Sequence, residues 1–109
     1  MNRARMVLAT RAGLSALLRE IAAESMPWER DPYLLAMAAR VRGLRLAAGY
    51  TTPGEFARAA NITRDTLVRL ESGGSPRFEV LRAVAGELDV DVRDLLPTQA
   101  QVDEVSEAL

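Results

Sequence analysis

A chain of 109 residues is long enough for one compact domain with an arm, but too short for two independent domains. It contains neither cysteine nor histidine, which excludes disulfides, thiol or imidazole catalysis and Cys/His metal sites. The net charge of −1 conceals a segregation, because residues 40–71 carry six arginines and three acidic residues while residues 79–109 carry two arginines and eight acidic residues. The basic part could therefore bind nucleic acid while the acidic end points away or contacts a partner.

Apolar residues recur at helical spacing along the chain, and no run alternates as a strand would, so we predict an all-α protein. Residues 3–25 form the first amphipathic pattern, and Pro27 and Pro32 then interrupt it. We therefore expect residues 1–31 to be a helical arm with a linker. The apolar face of this arm could pack on its own domain, form a dimer interface or bind another protein. Trp28 could be an interface anchor or a core side chain.

The next helix is predicted over residues 32–48. Asp31 followed by Pro32 forms an N-cap and first-turn pair, and Gly49 is placed to end the helix. The helical spacing predicts that this helix buries Leu34, Met37, Ala38, Val41, Leu44 and Ala48.

Two very short helices come next, separated by a tight turn. Thr52-Pro53-Gly54-Glu55 has the Thr-x-x-Glu form of a capping box and opens a helix over residues 53–60. Asn61 tolerates the left-handed backbone that a tight connection needs. Thr63 then caps a helix over residues 63–71. A support helix and a short second helix are typical of proteins that insert one helix into the major groove of DNA, which is about 12 Å wide.

A further helix is predicted to start at Ser75-Pro76, after the Gly73-Gly74 stop, and to continue to Leu88. Its predicted buried stripe contains Phe78, Leu81, Val84, Ala85 and Leu88. Asp91 caps a closing turn that Pro97 ends. The sequence thus divides into the arm, a domain over residues 32–97 and an acidic tail over residues 98–109, in which we expect only a weak amphipathic turn.

Many loosely constrained positions agree, in order and spacing, with one known family. They are Val41-x-x-Leu44-Arg45, Gly49-Tyr50-Thr51, Phe56-Ala57, Asn61 through Leu67, Leu70-Glu71-x-Gly73, Pro76-Arg77-Phe78, Leu81-x-x-x-Ala85-x-x-Leu88-x-Val90 and Asp91 through Leu96. Over about residues 41–96 the chain resembles the phage-repressor-like, or XRE-like, helix-turn-helix proteins. The resemblance implies an all-α, five-helix DNA-binding domain, to which the N-terminal amphipathic helix would be an addition.

The resemblance also assigns roles to residues of the predicted helix over residues 63–71, which in this family reads the DNA bases. Arg64, Asp65, Val68 and Arg69 occupy positions from which the family reaches base edges. Either arginine could clamp a guanine, although both could also belong to a solvated helix face. Asp65 could accept a hydrogen bond from cytosine or simply stabilise the helix dipole.

Other positions are assigned to the DNA backbone and to the interior. Thr52, Thr63 and Arg77 are candidates for phosphate contacts, which fix register without reading sequence. Two departures affect these contacts: an extra residue within Thr51–Gly54 where the family has a phosphate-anchoring Gln, and a short loop at 73–75 with fewer basic residues. The resemblance further implies a buried structural ion pair between Arg45 and Glu71. The residues expected in the core around the two short helices are Phe56, Ala57, Ile62, Leu67 and Leu70.

We therefore predict a cytoplasmic transcriptional regulator of a prokaryotic cell or phage, most simply a repressor of its own gene that binds an inverted-repeat operator in double-stranded DNA as a homodimer. One alternative is a DNA-binding antitoxin that holds its toxin through the N-terminal helix or the acidic tail. Another is a protein-interaction module on a degenerate helix-turn-helix. The carboxylates look like caps and a solvated face, so we expect no enzyme activity, cofactor, metal or membrane association.

Overall fold

The computed structural model describes residues 31–108. The helix predicted at 3–25 and Trp28 lie outside the described residues. The described elements are α1 (Pro32–Ala47), α2 (Pro53–Ala60), α3 (Arg64–Glu71), α4 (Phe78–Leu88), a 3₁₀ helix (Val92–Leu95) and α5 (Gln99–Ala108). No β-strand occurs in residues 31–108, and α1 to α4 with the 3₁₀ helix form the predicted five-helix domain. The expectation of an all-α fold is confirmed.

Side-chain caps fix where the first three helices begin. The Asp31 carboxylate accepts hydrogen bonds from the backbone N–H groups of Tyr33 and Leu34, at 2.9 and 3.2 Å. Thr52 Oγ1 accepts from a backbone N–H at 3.3 Å at the start of α2, and Thr63 Oγ1 accepts from another at 3.1 Å at the start of α3. Each cap satisfies a donor that has no partner within its helix, and all three were predicted from the sequence.

Residues with positive φ follow each of the helices α1 to α4; they are Gly49, Asn61, Gly73 and Asp89. Gly49 has φ +97° and follows the C-terminus of α1. Asn61 has φ 60° and ψ 41°, and it closes α2 three residues before α3 begins. An asparagine tolerates this conformation better than most residues with a side chain, so the predicted tight turn is confirmed.

One core lies among α1, α2, α3, α4 and the 3₁₀ helix. Its buried members are Met37, Val41, Leu44, Phe56, Ala57, Leu67, Leu70, Leu81, Val84, Ala85, Leu88 and Leu95. The Tyr50 ring packs edge-on against the Phe56 ring, with centroids 5.0 Å apart. Ile62 is only half-buried and packs against the margin of this core. Ala48 is exposed, contrary to prediction, because α1 ends one residue before it.

The prediction for the start of α4 was wrong. The helix begins at Phe78, with Arg77 as an extended N-cap residue, rather than at Ser75-Pro76. Phe78 leaves 66% of its surface exposed and does not belong to the buried stripe, which begins at Leu81. Phe78 has the right spacing for that stripe, but it lies at the end of the helix, beyond the margin of the core.

The C-terminal segment has more structure than the weak amphipathic turn that we expected. Residues 99–108 form α5, which packs against α1 and buries Val105 there. The α1 residues in this second cluster are Leu35, Ala36, Ala38 and Ala39. Arg40 on α1 connects this helix to the C-terminal segment. Its Nε donates to the carbonyl of Asp94 in the 3₁₀ helix, and its Nη1 donates to Gln101 Oε1 in α5 at 3.4 Å. The acidic residues of this segment lower its hydrophobicity, so hydrophobic periodicity alone did not predict a full helix here.

Candidate nucleic-acid interface

The α2–turn–α3 unit holds one short helix against the core and leaves its other side open. The backbone N–H of Ile62 donates to the carbonyl of Ala57 at 2.9 Å, which closes the turn at Asn61. On α3, Leu67 and Leu70 are completely or almost completely buried. The eight residues of α3 span roughly 12 Å, and Glu71 at the end of the helix is buried as well. Arg64, Asp65 and Arg69 are exposed on the outer side of the helix.

The four residues predicted to read bases all lie on α3. Arg64, Asp65 and Arg69 are exposed, and Val68 is half-buried. Arg64 and Arg69 are five residues apart, so they occupy different sides of the helix and differ in height by roughly 7.5 Å along its axis. The two arginines therefore have separate surroundings.

Arg64 borders a groove between α3, the end of α1 and the start of α2. The groove has a volume of about 520 Å³, and its lining residues include Arg42, Thr51, Pro53, Val68 and Ser72 as well as Arg64. We call it the α1-side groove. Thr51 belongs to the segment in which the sequence carries an extra residue compared with the family, and this loop therefore lines the groove.

Arg69 borders a second groove, on the opposite side of α3. This α4-side groove has a volume of about 530 Å³, and its lining residues include Thr66, Arg69, Ser75, Pro76 and Arg77. The Arg77 side chain is highly exposed, and its Nη1 lies 3.8 Å from the Glu79 carboxylate. The structure thus brings one predicted base-reading residue and one predicted phosphate-binding residue to the same groove.

The two threonines predicted to contact phosphate lie at helix N-termini. Thr52 caps α2 and Thr63 caps α3, and both side chains are exposed. Thr63 Oγ1 also lies 2.6 Å from Thr66 Oγ1, within hydrogen-bonding distance. Helix N-termini present unpaired backbone N–H groups and partial positive charge, which favour an anion.

A buried cluster of charged side chains joins the end of α3 to α1. Arg45 Nε and Nη2 donate to the two carboxylate oxygens of Glu71 at 2.8 and 3.1 Å, and Arg45 Nη1 donates to the carbonyl of Tyr50 at 2.7 Å. The structure therefore places Arg45 and Glu71 in the contact that the resemblance implied.

Arg42 also belongs to this cluster, although it was not predicted from the sequence. Its Nη2 donates to the Glu71 carbonyl at 3.1 Å, and its Nε lies 3.6 Å from the Glu71 carboxylate. The available signal was its position three residues before Arg45, which puts both arginines on one side of α1. Two cations thus face one carboxylate, and the positive charge of Arg42 adds to the α1-side groove.

Residues 31–108 contain no group of three or more acidic side chains placed to hold a metal ion. None of the helices described is both long and apolar enough to cross a membrane.

Comparison with known proteins agrees with this geometry. A family model described as helix-turn-helix matches residues 41–95, from the middle of α1 to the end of the 3₁₀ helix. No curated protein and no solved structure matches the chain. The matched segment contains both grooves and the whole exposed side of α3.

Proposed function

The chain belongs to the XRE-like helix-turn-helix family of DNA-binding regulators, and we propose that it is a sequence-specific transcriptional repressor that controls its own gene. The observation that carries this proposal is the exposed side of α3. Arg64 and Arg69 project from a short helix whose other side is anchored by Leu67 and Leu70. A single helix held in this way fits the major groove, where sequence can be read directly.

The two arginines are proposed to contact two guanines. Arginine forms a bidentate pair with guanine O6 and N7, which is worth about 1–3 kcal/mol against the wrong base. Their axial separation of roughly 7.5 Å corresponds to about two base-pair steps of 3.4 Å. Asp65 would accept a hydrogen bond from a cytosine N4 amino group, and Val68 would contact a thymine methyl group. The half-site should therefore contain two G·C pairs about two steps apart.

Thr52, Thr63 and Arg77 are proposed to contact phosphates on either side of this half-site. Their positions support the assignment, because the threonines occupy the N-termini of α2 and α3 while Arg77 lies in the extended segment before α4. Contacts of this kind hold the protein in register and contribute affinity without reading sequence.

A homodimer is proposed because one α3 helix can read only a few base pairs. Two copies would place two α3 helices in successive major grooves, about 34 Å apart on an inverted repeat. An operator of this form, near the start of the gene, would block transcription when it is occupied.

The proposal is tested by fluorescence anisotropy with the full chain and duplexes that tile the region upstream of its gene. We expect one tile to bind at about 10⁻⁸ M or tighter at 150 mM salt, and random duplex to bind about a thousandfold more weakly. An Arg64→Ala/Arg69→Ala variant should lose this preference, whereas Arg93→Ala, on the 3₁₀ helix, should retain it. Equal weak binding of all tiles, or a double variant that still prefers the same tile, would contradict the proposal.

A further inference from the structure

Gly74 lies directly against the side chain of Arg69. A Cβ atom added to Gly74 would stand 2.5 Å from Arg69 Cγ, 2.9 Å from the Arg69 carbonyl oxygen and 3.0 Å from Arg69 Nε. Carbon atoms that are not bonded to each other attract best at about 3.5–4.0 Å, so the stem of Arg69 occupies space that any other residue at position 74 would fill.

The backbone explains why the two residues are so close. After α3 ends, the N–H of Gly74 donates to the carbonyl of Arg69 at 2.9 Å, which turns the chain back over the last turn of the helix. Gly73 supplies the left-handed residue of this turn, with φ +98°, whereas Gly74 has no positive φ. Position 74 therefore needs glycine for the space that it leaves and not for its backbone conformation.

Arg64 is not constrained in the same manner. A Cβ added to Gly54, the glycine beside Arg64, would meet Arg64 Cδ at 3.9 Å, which is ordinary van der Waals contact. Of the two arginines proposed to read bases, Arg69 alone has a stem that depends on a missing side chain.

We propose that Gly74 is a specificity-determining position that acts through Arg69. By leaving room for the Arg69 stem, it sets the angle and distance at which the guanidinium meets a base edge in the α4-side groove. A bidentate contact with guanine requires this geometry, and a stem that is already positioned loses less rotamer freedom on binding. This inference rests on the proposed function, because it assumes that Arg69 reads a base.

The test uses the full chain, its selected operator and a set of operators with single base-pair changes. Arg69→Ala should abolish discrimination at one base pair. Gly74→Ala should weaken discrimination at the same base pair about fivefold or more, which is the lower end of the value of a bidentate contact. The double variant should discriminate no worse than Arg69→Ala alone, because the effect of Gly74 on discrimination passes through that side chain. The contact of the added Cβ with the Arg69 carbonyl oxygen would change affinity equally on all operators. Gly86→Ala is the matched control, since an added Cβ in α4 would meet nothing within 4 Å.

Other results would overturn the inference. Unchanged discrimination by Gly74→Ala at wild-type affinity would do so, as would unchanged discrimination with a loss of affinity that is equal on all operators. The latter would mean that position 74 acts only on the loop. If the wild-type chain selects no sequence, both this inference and the proposed function fail, whereas a selective chain with an unaffected Gly74→Ala variant sinks the inference alone.

A measurement on the wild-type chain covers the case in which Gly74→Ala does not fold. Nuclear Overhauser effects between the Gly74 α-protons and the Arg69 γ-protons should appear in the free protein and persist in the operator complex. Their absence from the complex would overturn the inference.

Discussion

Arg45 on α1 and Glu71 at the end of α3 are joined by two hydrogen bonds of 2.8 and 3.1 Å, and the two residues are only 4% and 2% exposed. Paired bonds between a guanidinium and a carboxylate fix orientation as well as distance. This contact therefore fixes the orientation of α3 relative to α1, and with it the position of the exposed side of α3 on the surface of the domain.

Glu71→Ala should destabilise the fold strongly. The substitution leaves two arginines beside each other with no carboxylate between them, and removing one partner of a buried ion pair typically costs about 3–5 kcal/mol. The melting temperature, followed by circular dichroism, should fall by more than about 10 °C. Glu79→Ala removes the carboxylate of an exposed pair and should cost less than about 1 kcal/mol. Equal melting of the two variants would contradict a structural role for Glu71.

Arg77→Ala should weaken DNA binding without changing sequence preference. Arg77 is exposed at the margin of the α4-side groove and is proposed to contact a phosphate. Losing one phosphate contact makes the negative slope of log K against log salt concentration shallower by about 0.9. Anisotropy titrations over a salt series on the operator and on random duplex would measure this slope. A slope equal to that of the wild type, or a changed base preference, would rule out the phosphate assignment.

Tyr50 should make stability sensitive to alkaline pH. Its hydroxyl donates to Glu87, and this bond, together with burial and the nearby negative charge, raises the pKa of Tyr50 above its ordinary value. Because the folded-state pKa is raised, the contribution is fully present below the pKa of the unfolded chain, about 10, and is lost as the pH rises through the folded-state pKa. The free energy of unfolding, from urea titrations, should therefore fall with pH above about 10.

Two phenylalanine variants isolate this effect. Tyr50→Phe should be less stable than the wild type at neutral pH and should lose less of its stability between neutral pH and the alkaline range. Tyr33→Phe leaves the Tyr50–Glu87 bond intact and should follow the wild-type curve. If all three proteins share one pH profile, the bond to Glu87 contributes nothing to folding.

Val105→Ala should show that α5 stabilises the domain. Val105 is 2% exposed and packs in the cluster between α5 and α1. Truncating it removes two buried methyl groups and leaves a cavity, at a cost of about 2 kcal/mol. Chemical denaturation measures this loss, and Glu107→Ala, at an exposed position of α5, serves as the control. A fully stable Val105→Ala variant would mean that α5 is dispensable.

Local signals in the sequence predicted the local structure well. Thr52, Thr63 and Asp31 act as caps because each hydroxyl or carboxylate reaches backbone donors only a few residues away. Asn61 adopts its left-handed conformation for an equally local reason. Such interactions depend on the residue type and its immediate neighbours, which one sequence contains.

Contacts between distant segments were harder to predict. The Arg45–Glu71 pair was expected only from a family resemblance, because its partners are 26 residues apart. The bond from Arg40 to Asp94 spans 54 residues, and nothing in the local pattern of either segment indicates it. Phe78 was predicted to be buried and is exposed. Helical spacing shows which face of a helix a residue occupies, but not where the core beneath that face ends.

The separate surroundings of Arg64 and Arg69 have a practical consequence for engineering. The α1-side and α4-side grooves share no lining residue. Substitutions at sites without shared partners usually have additive effects. Libraries built on one flank of α3 could therefore be screened independently of the other, and the best variants of each could be combined, so that new operators are reached one base pair at a time.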